Sequence, residues 1–241
     1  MQNIFTGEVA ERYDADCADV STPEALAPML DVLVDLADGD PALEFAIGTG
    51  RVALPLAARG VPVSGIELSE DMIARLRAKP GGEDVPVVVG DMASARVPGR
   101  FGLVYLVFNT LSNLIEQDEQ VACFANAAAH LAPGGCFVVE QGEPELRLLP
   151  PGAVAVPFEV DGEHLGFDTY DLVTQRLTSH HYRPGQGRVF ASVHRYAWFG
   201  EMDLMARQAG LRLRHRWADW DRTPPSNDDT GRISVWERVA A

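Results

Sequence analysis

Short apolar runs alternate with amphipathic stretches along the first part of the 241-residue chain. Apolar runs of about four to eight residues are typical of strands buried on both faces of a parallel sheet. Apolar residues at helical spacing lie between these runs, and the alternation predicts an α/β fold with a doubly wound sheet. The expected strands are 42–47, 61–66, 85–89, 101–108 and 136–139, and the expected helices are 22–37, 51–59, 69–79 and 116–131.

The pattern changes after residue 140. Residues 141–157 carry four prolines, and residues 158–197 are rich in β-branched and aromatic residues separated by turn signals. This composition predicts three or four antiparallel strands, followed by a helix and a pair of strands. We therefore expect one domain spanning 1–241 and made of an N-terminal helical lid (1–41), a core (42–140), an antiparallel insertion (141–197) and a C-terminal helix with two strands, 211–217 and 232–239 (198–241).

Composition and charge narrow the function classes. A net charge of −15 argues against general nucleic-acid binding, which needs basic surface to displace counterions. The cysteines Cys17, Cys123 and Cys136 are far apart and odd in number, which is typical of reduced thiols in the cytoplasm. Neither a leader pattern nor an apolar run of about 18 residues is present, so we expect no standard secretion signal and no membrane span.

Residues 42–60 predict a strand, a tight turn with glycines at Gly48 and Gly50, and a helix ending near Gly60. This arrangement brings a backbone close to a bound ligand. Glu44 stands out because a carboxylate inside an apolar strand costs several kcal/mol unless a partner is present. We therefore expect Glu44 to have a function.

Four polar side chains follow the predicted strands at the edge where ligands bind in open α/β sheets. They are Glu67, Asp91, Asn109 and Glu140. Glu67 lies 19 residues after Gly48, the spacing at which an acid reaches the two hydroxyls of a ribose. A nucleoside-type ligand is therefore expected over the glycine turn.

The glycine turn alone leaves two cofactors open. Residues 48–53 also match the G-x-G-x-x-A form of dinucleotide-binding enzymes, so an NAD(P)-dependent oxidoreductase is one alternative. A pyrophosphate prefers a bare helix N-terminus, whereas Glu44 would repel an anion and suits a cation. An acid at Asp91, where an adenine amino group could donate, has no role in a dinucleotide fold.

Four motifs together resemble the class I S-adenosylmethionine-dependent methyltransferases of small-molecule and natural-product type. They are Glu44-x-x-x-Gly48-x-Gly50, Gly65-Ile66-Glu67-Leu68-Ser69, Gly90-Asp91-Met92 and Leu131-x-Pro133-Gly134-Gly135. The resemblance implies a seven-stranded Rossmann-like sheet with the antiparallel insertion before the last helix and strand pair. It covers residues 10–140 well and extends to the segment Met205–Leu211.

The resemblance implies S-adenosylmethionine as cofactor and S-adenosylhomocysteine as product. Glu67 would accept both ribose hydroxyls, and Asp91 would accept the adenine amino group. Tyr13 would be either a lid over the cofactor or an ordinary packing residue, and Arg51, where many relatives have glycine, would lie near the methionine carboxylate. The remaining cofactor-binding residues implied are Glu44, Ala46, Gly48, Gly50, Leu68, Met72, Met92, Phe108 and Asn109.

The acceptor is expected to be a small molecule or a peptide, methylated on nitrogen or oxygen by in-line displacement. A sulfonium methyl group is already activated, so a base is needed only for some acceptors. Residues 108–113 contain no carboxylate, so no metal is expected. The catalytic candidates are His181, Tyr182 and Asn109, and the substrate-binding candidates are Asn113, Tyr170, His194 and Trp198.

His180 and His181 are adjacent on a predicted strand, so at most one of them can face a pocket. A second alternative is a methyltransferase-fold protein with a non-methylating role, such as a cyclase or a cofactor sensor. The sequence leaves the acceptor atom, the use of a general base and the oligomeric state open.

Overall fold

A computed structural model describes residues 3–239, without the side chains of Gln186 and Arg188. Seven strands form one sheet: β1 (Ala42–Phe45), β2 (Val63–Glu67), β3 (Val87–Val89), β4 (Phe101–Leu106), β5 (Leu131–Gly142), β10 (Leu211–Trp217) and β11 (Gly231–Arg238). Their order in the sheet is β10-β11-β5-β4-β1-β2-β3. Neighbouring strands are parallel except β11, which is antiparallel to both β5 and β10.

Helices cover both faces of this sheet, as the alternating pattern predicts. They are α1 (Glu8–Asp16), α2 (Pro23–Ala37), α3 (Ala53–Ala58), α4 (Glu70–Arg77), α5 (Gln117–His130) and α6 (Phe199–Gln208). One core contains Leu33 of α2 and Leu56 of α3, and the other contains Phe124 of α5 and Met202 of α6. Within residues 3–239, no helix combines the length and the apolar character that crossing a bilayer requires.

A second, four-stranded antiparallel sheet precedes α6. Its strands are β6 (Ala155–Val160), β7 (Leu165–Asp171), β8 (Arg176–Arg183) and β9 (Arg188–Arg195), paired in chain order. Val156, Tyr170 and Tyr196 form a small core between this sheet and its neighbours. The expected fold class, a doubly wound seven-stranded sheet with an antiparallel insertion, is confirmed.

Two strands end earlier than predicted because the backbone turns left-handed. β1 stops at Phe45 and not at residue 47, since Ala46 has a φ of 53°. β4 stops at Leu106 and not at residue 108, since Phe108 and Asn109 have φ values of 61° and 56°. Residues in this conformation cannot continue an extended strand. Both strands end at the carboxyl edge of the sheet, where the ligand is expected to bind.

Other boundaries differ for identifiable reasons. β5 begins at Leu131, directly after α5. The Pro-Gly-Gly segment lies within β5, at a shift in register between the pairings of the strand with Phe101 and with Leu103 of β4. Glu140 was expected after a strand but lies inside β5, which continues to Gly142. α3 is shorter than predicted, at 53–58, and α1 is a helix that the polar pattern of residues 1–20 does not predict.

Candidate functional site

The glycine turn after β1 is left-handed at three alternate positions. Ala46, Gly48 and Gly50 have φ values of 53°, 57° and 79°. A Cβ on Gly50 would lie 2.3 Å from Leu76 Cδ1, so the packing of α4 as well as the backbone requires glycine there. The turn therefore brings main chain, not side chains, to the carboxyl end of β1.

Glu67, the last residue of β2, is fixed by this turn. Its Oε2 accepts a 2.8 Å hydrogen bond from the Gly48 N–H, and its Oε1 accepts one of 2.8 Å from the Ser69 N–H. Burial raises the pKa of the Glu67 carboxyl, and the backbone donors oppose that rise. The side chain borders a cavity, open in part to solvent, that Leu68 and Met72 also line. These backbone donors hold both carboxylate oxygens at the cavity wall.

Glu44 lies under the turn with 4% of its surface exposed. Tyr105 Oη, on neighbouring β4, donates a 2.9 Å hydrogen bond to Glu44 Oε2. Burial raises the pKa of Glu44 to about 8, while this bond and the positive charge of Arg51 oppose the rise. Tyr105, a residue of another apolar strand, is therefore one partner of this buried carboxyl group, and the Ala53 N–H is a second.

The N-terminal segment covers the cavity and contributes to its lining. Phe5 and Tyr13 both border it, and their rings meet edge to face with centroids 6.0 Å apart. The Gly7 N–H donates a 2.7 Å hydrogen bond to Asp71 Oδ2, and Ser69 Oγ donates to the Phe5 carbonyl. Burial is the main cause that raises the pKa of Tyr13 above its ordinary value, so the phenol stays protonated.

A second contact holds α1 against the glycine turn. Thr49 Oγ1 donates a 2.6 Å hydrogen bond to Asp14 Oδ1, and Lys79 Nζ donates to the same oxygen at 2.8 Å. Lys79 Nζ also donates a 2.8 Å bond to the Thr49 carbonyl. The three residues therefore tie α1, the turn and the end of α4 together.

Asp91 and Met92 follow β3, the neighbour of β2. Asp91 Oδ1 accepts a 2.8 Å hydrogen bond from the Ala93 N–H, and Met92 is buried in the core. Asn126 Nδ2 donates to the carbonyls of Met92 and Ala95 at 2.7 and 3.0 Å. These bonds fix the loop beside Glu67, although neither Asp91 nor Met92 is among the residues that line the first cavity.

The loop after β4 is anchored by Glu140. Its Oε2 accepts a 2.6 Å hydrogen bond from the Phe108 N–H, and its Oε1 accepts one of 2.9 Å from Trp220 Nε1. The Arg51 guanidinium carbon lies 4.5 Å from the Phe108 ring centroid, a cation–π contact. Glu140, expected among the ligand-binding acids, therefore uses one oxygen to position this loop and the other to hold Trp220. The Gly142 N–H donates to Asn109 Oδ1 and so fixes Asn109, which follows Phe108 in the loop.

A second cavity, also open in part to solvent, lies on the other side of this loop. Thr110 and Asn113 border the first cavity, whereas Asn109 and Ser112 border the second, so the two cavities share one wall. The remaining lining of the second cavity comes from the end of β5 and from the antiparallel sheet: residues 141–145, Asp168, Tyr170, Leu177, Ser179, His194 and Tyr196.

The acceptor-side candidates separate into distinct places. Tyr170 and His194 line the second cavity, and Asn113 lines the first. His181 borders a third cavity, with Val9 and Phe190 among its lining residues, and is apart from both. His180 lies on the opposite face of β8, stacked on Phe167 with centroids 4.7 Å apart. Tyr182 and Trp198 are 43% and 42% exposed and line neither of the first two cavities.

The sequence interpretation misses several residues of the second cavity. Asp168 shares a face of β7 with Tyr170, and that two-residue period is the signal that could have found it. Gln141 and Glu143 border the same cavity from the end of β5. Their position could not be predicted from the sequence because β5 continues to Gly142, two residues beyond Glu140, where the ligand-binding edge was expected.

Comparisons with known proteins agree with this geometry. Residues 42–135 match the family described as methyltransferase domain. The structure resembles that of the CcbJ methyltransferase from Streptomyces caelestis with a TM-score of 0.83 and 36% identity, covering 96% of each chain. The cypemycin N-terminal methyltransferase of a Streptomyces species is 28% identical over 73% of this chain and 74% of its own. A dTDP-3-amino-3,6-dideoxy-alpha-D-glucopyranose N,N-dimethyltransferase of Streptomyces fradiae is 32% identical over 58% of this chain and 55% of its own.

The match in sequence and fold runs through the glycine turn, Glu67 and Asp91, the residues singled out above. Likeness over nearly the whole of a solved methyltransferase chain excludes a chance match to one motif. The chain belongs to the class I S-adenosylmethionine-dependent methyltransferases, and S-adenosylmethionine is its cofactor.

Proposed function

We propose that this methyltransferase transfers its methyl group to an amine nitrogen of a small-molecule or peptide natural product. The observation that carries the proposal is the shared wall at residues 109–113, which puts a second cavity next to the cavity bordered by Glu67. Three carboxylates, Glu143, Glu145 and Asp168, line the second cavity, and none of the described residues lining it is Lys or Arg. Glu143 is paired with Arg232 at 3.8 Å, which leaves Glu145 and Asp168 as the carboxylates available to a cationic ligand. An acceptor that carries positive charge suits such a lining.

The relatives support nitrogen over oxygen. Two of them are named for methyl transfer to nitrogen, one at a peptide N-terminus and one on an amino sugar. Both kinds of acceptor are amines that are protonated in neutral water. We therefore propose nitrogen as the methylated atom, and the acceptor panel below tests which carbon skeletons are accepted.

The first cavity fits the cofactor by the chemistry of its lining. Glu67 would accept the ribose hydroxyls, because its two oxygens are held at the cavity wall by backbone donors. Leu68 and Met72 give the apolar surface that an adenine ring needs. Asp91 would accept the adenine amino group beyond them. The left-handed backbone at Ala46, Gly48 and Gly50, with Glu44 beneath, would surround the methionine portion.

S-adenosylmethionine supplies a methyl group that is already activated on a positively charged sulfur. The chain itself must therefore bind the acceptor in line, exclude water and tolerate positive charge. Tyr13 and Phe5 border the cavity and shield part of it from water. Glu44 can lose its proton when a cation lies beside it, because a neighbouring positive charge lowers the pKa of a carboxyl. The guanidinium of Arg51 lies over the Phe108 ring. We therefore assign Arg51 to positioning the loop after β4 as well as to binding the methionine carboxylate.

The test is an acceptor panel in which amines are matched with alcohols of the same skeleton. Glucosamine with glucose, and alanylalanine with lactoylalanine, are suitable pairs, incubated with the protein and labelled S-adenosylmethionine. Mass spectrometry should show one added methyl group on amine members only. Transfer to the alcohols would contradict the proposal, and cofactor binding without transfer to any amine would favour a non-methylating role.

A further inference from the structure

The second cavity contains three buried polar atoms with unused hydrogen-bonding capacity. Within residues 3–239, Asp168 Oδ1, Gln141 Oε1 and His194 Nδ1 have no hydrogen-bond partner, and all three side chains line this cavity. Unpaired polar atoms are costly in a folded protein, by about 1–3 kcal/mol each, and those that persist need an explanation. Their concentration in one cavity points to a ligand.

Each of the three atoms can accept a hydrogen bond. Gln141 is 5% exposed, and its Nε2 donates a 3.3 Å bond to the Gly142 carbonyl, so the amide oxygen is the free end. His194 Nε2 shares a 2.7 Å hydrogen bond with Ser192 Oγ. When Nε2 donates in that bond, Nδ1 is the ring nitrogen with a free lone pair. The cavity therefore offers acceptors where its ligand must bring donors.

The strand register brings Asp168 and His194 to the same face of the antiparallel sheet. Asp168 on β7 pairs with Ser179 on β8, which pairs with Ser192 on β9, two residues before His194. Burial lowers the pKa of His194, and the negative charge of Asp168 opposes that change. With Nε2 donating to Ser192, His194 Nδ1 is a proton acceptor close to the Asp168 carboxylate.

We propose that this cavity binds the acceptor as a protonated amine, with Asp168, Gln141 and His194 accepting its N–H groups. A primary ammonium group has three N–H donors and one positive charge, matching three free acceptors of which one is a carboxylate. An alcohol has one donor and no charge, so it leaves two of the three atoms unpaired. This inference rests on the proposed function and assigns the residues that select an amine.

The same residues serve the chemistry that follows binding. An ammonium nitrogen has no lone pair, so one proton must leave first, and it passes to His194 Nδ1 to give a neutral amine and an imidazolium. When the amine nitrogen gains a methyl group it becomes positively charged. The Asp168 carboxylate stabilises that charge as it develops, as a preorganised group of opposite sign does.

The experiment compares an amine with its alcohol counterpart by calorimetric titration into the protein loaded with S-adenosylhomocysteine. Glucosamine with glucose, and alanylalanine with lactoylalanine, are the probes. We expect the wild-type protein to bind at least one amine about tenfold to hundredfold more tightly than its alcohol, the range for hydrogen bonds to a charged group. Asp168→Asn should abolish this preference and leave the affinity for S-adenosylhomocysteine unchanged.

Glu163→Gln is the matched control, because Glu163 is exposed in the turn between β6 and β7 and its loss removes the same charge outside the cavity. It should bind the probes as the wild type does. Equal affinity of the wild type for amine and alcohol overturns the inference without any variant. Wild-type transfer to amines that Asp168→Asn leaves unchanged overturns it while the proposed function stands, and transfer to alcohols overturns both.

Discussion

Tyr105 donates a hydrogen bond of 2.9 Å to Glu44 across the parallel pair of strands β1 and β4. Both side chains are buried, and the contact lies directly beneath the left-handed turn at Ala46, Gly48 and Gly50. The bond provides one partner for a carboxylate that has little access to water. It leaves Glu44 with a raised pKa of about 8.

The first prediction concerns the pH dependence of stability. The pKa of Glu44 rises from its ordinary 4.5 to about 8 on folding, chiefly through burial. Between these values the folded protein holds a proton that the unfolded chain has lost, so the free energy of unfolding falls as pH rises. Chemical denaturation of the cofactor-free protein at pH 5, 6.5 and 8 should show this loss. Glu67 and His194 also titrate with shifted pKa values, so the contribution of Glu44 is the difference in slope between the wild type and Glu44→Gln. Equal slopes in the two proteins would show that Glu44 is charged when buried.

The second prediction tests the cofactor site. Glu67→Ala and Asp91→Ala should each weaken binding of S-adenosylhomocysteine by about 1–3 kcal/mol, the cost of leaving a buried polar partner unpaired. Glu67→Ala should have at least as large an effect, since two hydroxyl contacts are lost. Calorimetric titration measures both, with Glu83→Ala as the control because Glu83 is exposed and outside the cavity. Wild-type affinity in both variants would contradict the site assignment.

The third prediction concerns the segment that covers the cofactor cavity. Burial would raise the pKa of Asp14, but hydrogen bonds from Lys79 and Thr49 outweigh it and lower the pKa. Asp14→Asn weakens these bonds, and partly exposed pairs of this kind are worth up to about 1 kcal/mol. Amide hydrogen exchange in residues 8–16 should become faster in this variant, with residues 117–130 unchanged as an internal reference. Equal exchange in α1 of both proteins would show that Asp14 does not hold it.

The fourth prediction separates packing from backbone strain in the glycine turn. Gly50→Ala places a methyl group 2.3 Å from Leu76 Cδ1 at a φ of 79°, whereas Gly60→Ala at a φ of 90° meets nothing within 4 Å. Both variants carry backbone strain of about 1–3 kcal/mol. Only Gly50→Ala should also displace α4. Thermal unfolding should therefore show the larger loss of stability for Gly50→Ala. Equal losses of stability would indicate that α4 shifts to accommodate the methyl group at no cost.

Much of the geometry around the first cavity, the candidate cofactor site, can be predicted from sequence because its signals are local. The turn residues Gly48 and Gly50 and the acid Glu67 lie at fixed spacings along one strand–turn–helix–strand unit, and the structure brings Gly48 and Glu67 into hydrogen-bonding contact. The alternation of apolar runs and helices likewise predicts the sheet. What fails is the position of strand ends, because a left-handed residue such as Phe108 has no compositional signal.

The acceptor side is less predictable because it depends on register between distant strands. Asp168 lies near Ser179 and His194 only after β7, β8 and β9 have paired. Tyr105 reads as an ordinary core residue until β4 is placed beside β1. Helix α1 buries little apolar surface, and its hydrogen bonds join residues that are far apart in the chain, as in the bonds to Asp14 from Thr49, 35 positions away, and from Lys79, 65 positions away.

The most direct test of the account is the position of the transferred methyl group. The protein is incubated with S-adenosylmethionine carrying a ¹³C-labelled methyl group and with acceptors that contain both an amine and hydroxyls, such as glucosamine. Carbon NMR then distinguishes an N-methyl from an O-methyl product. We predict that the labelled methyl group is found on nitrogen and not on oxygen, and that the Asp168→Asn variant loses this transfer to nitrogen. Label on oxygen, in a protein that binds the cofactor normally, would contradict it.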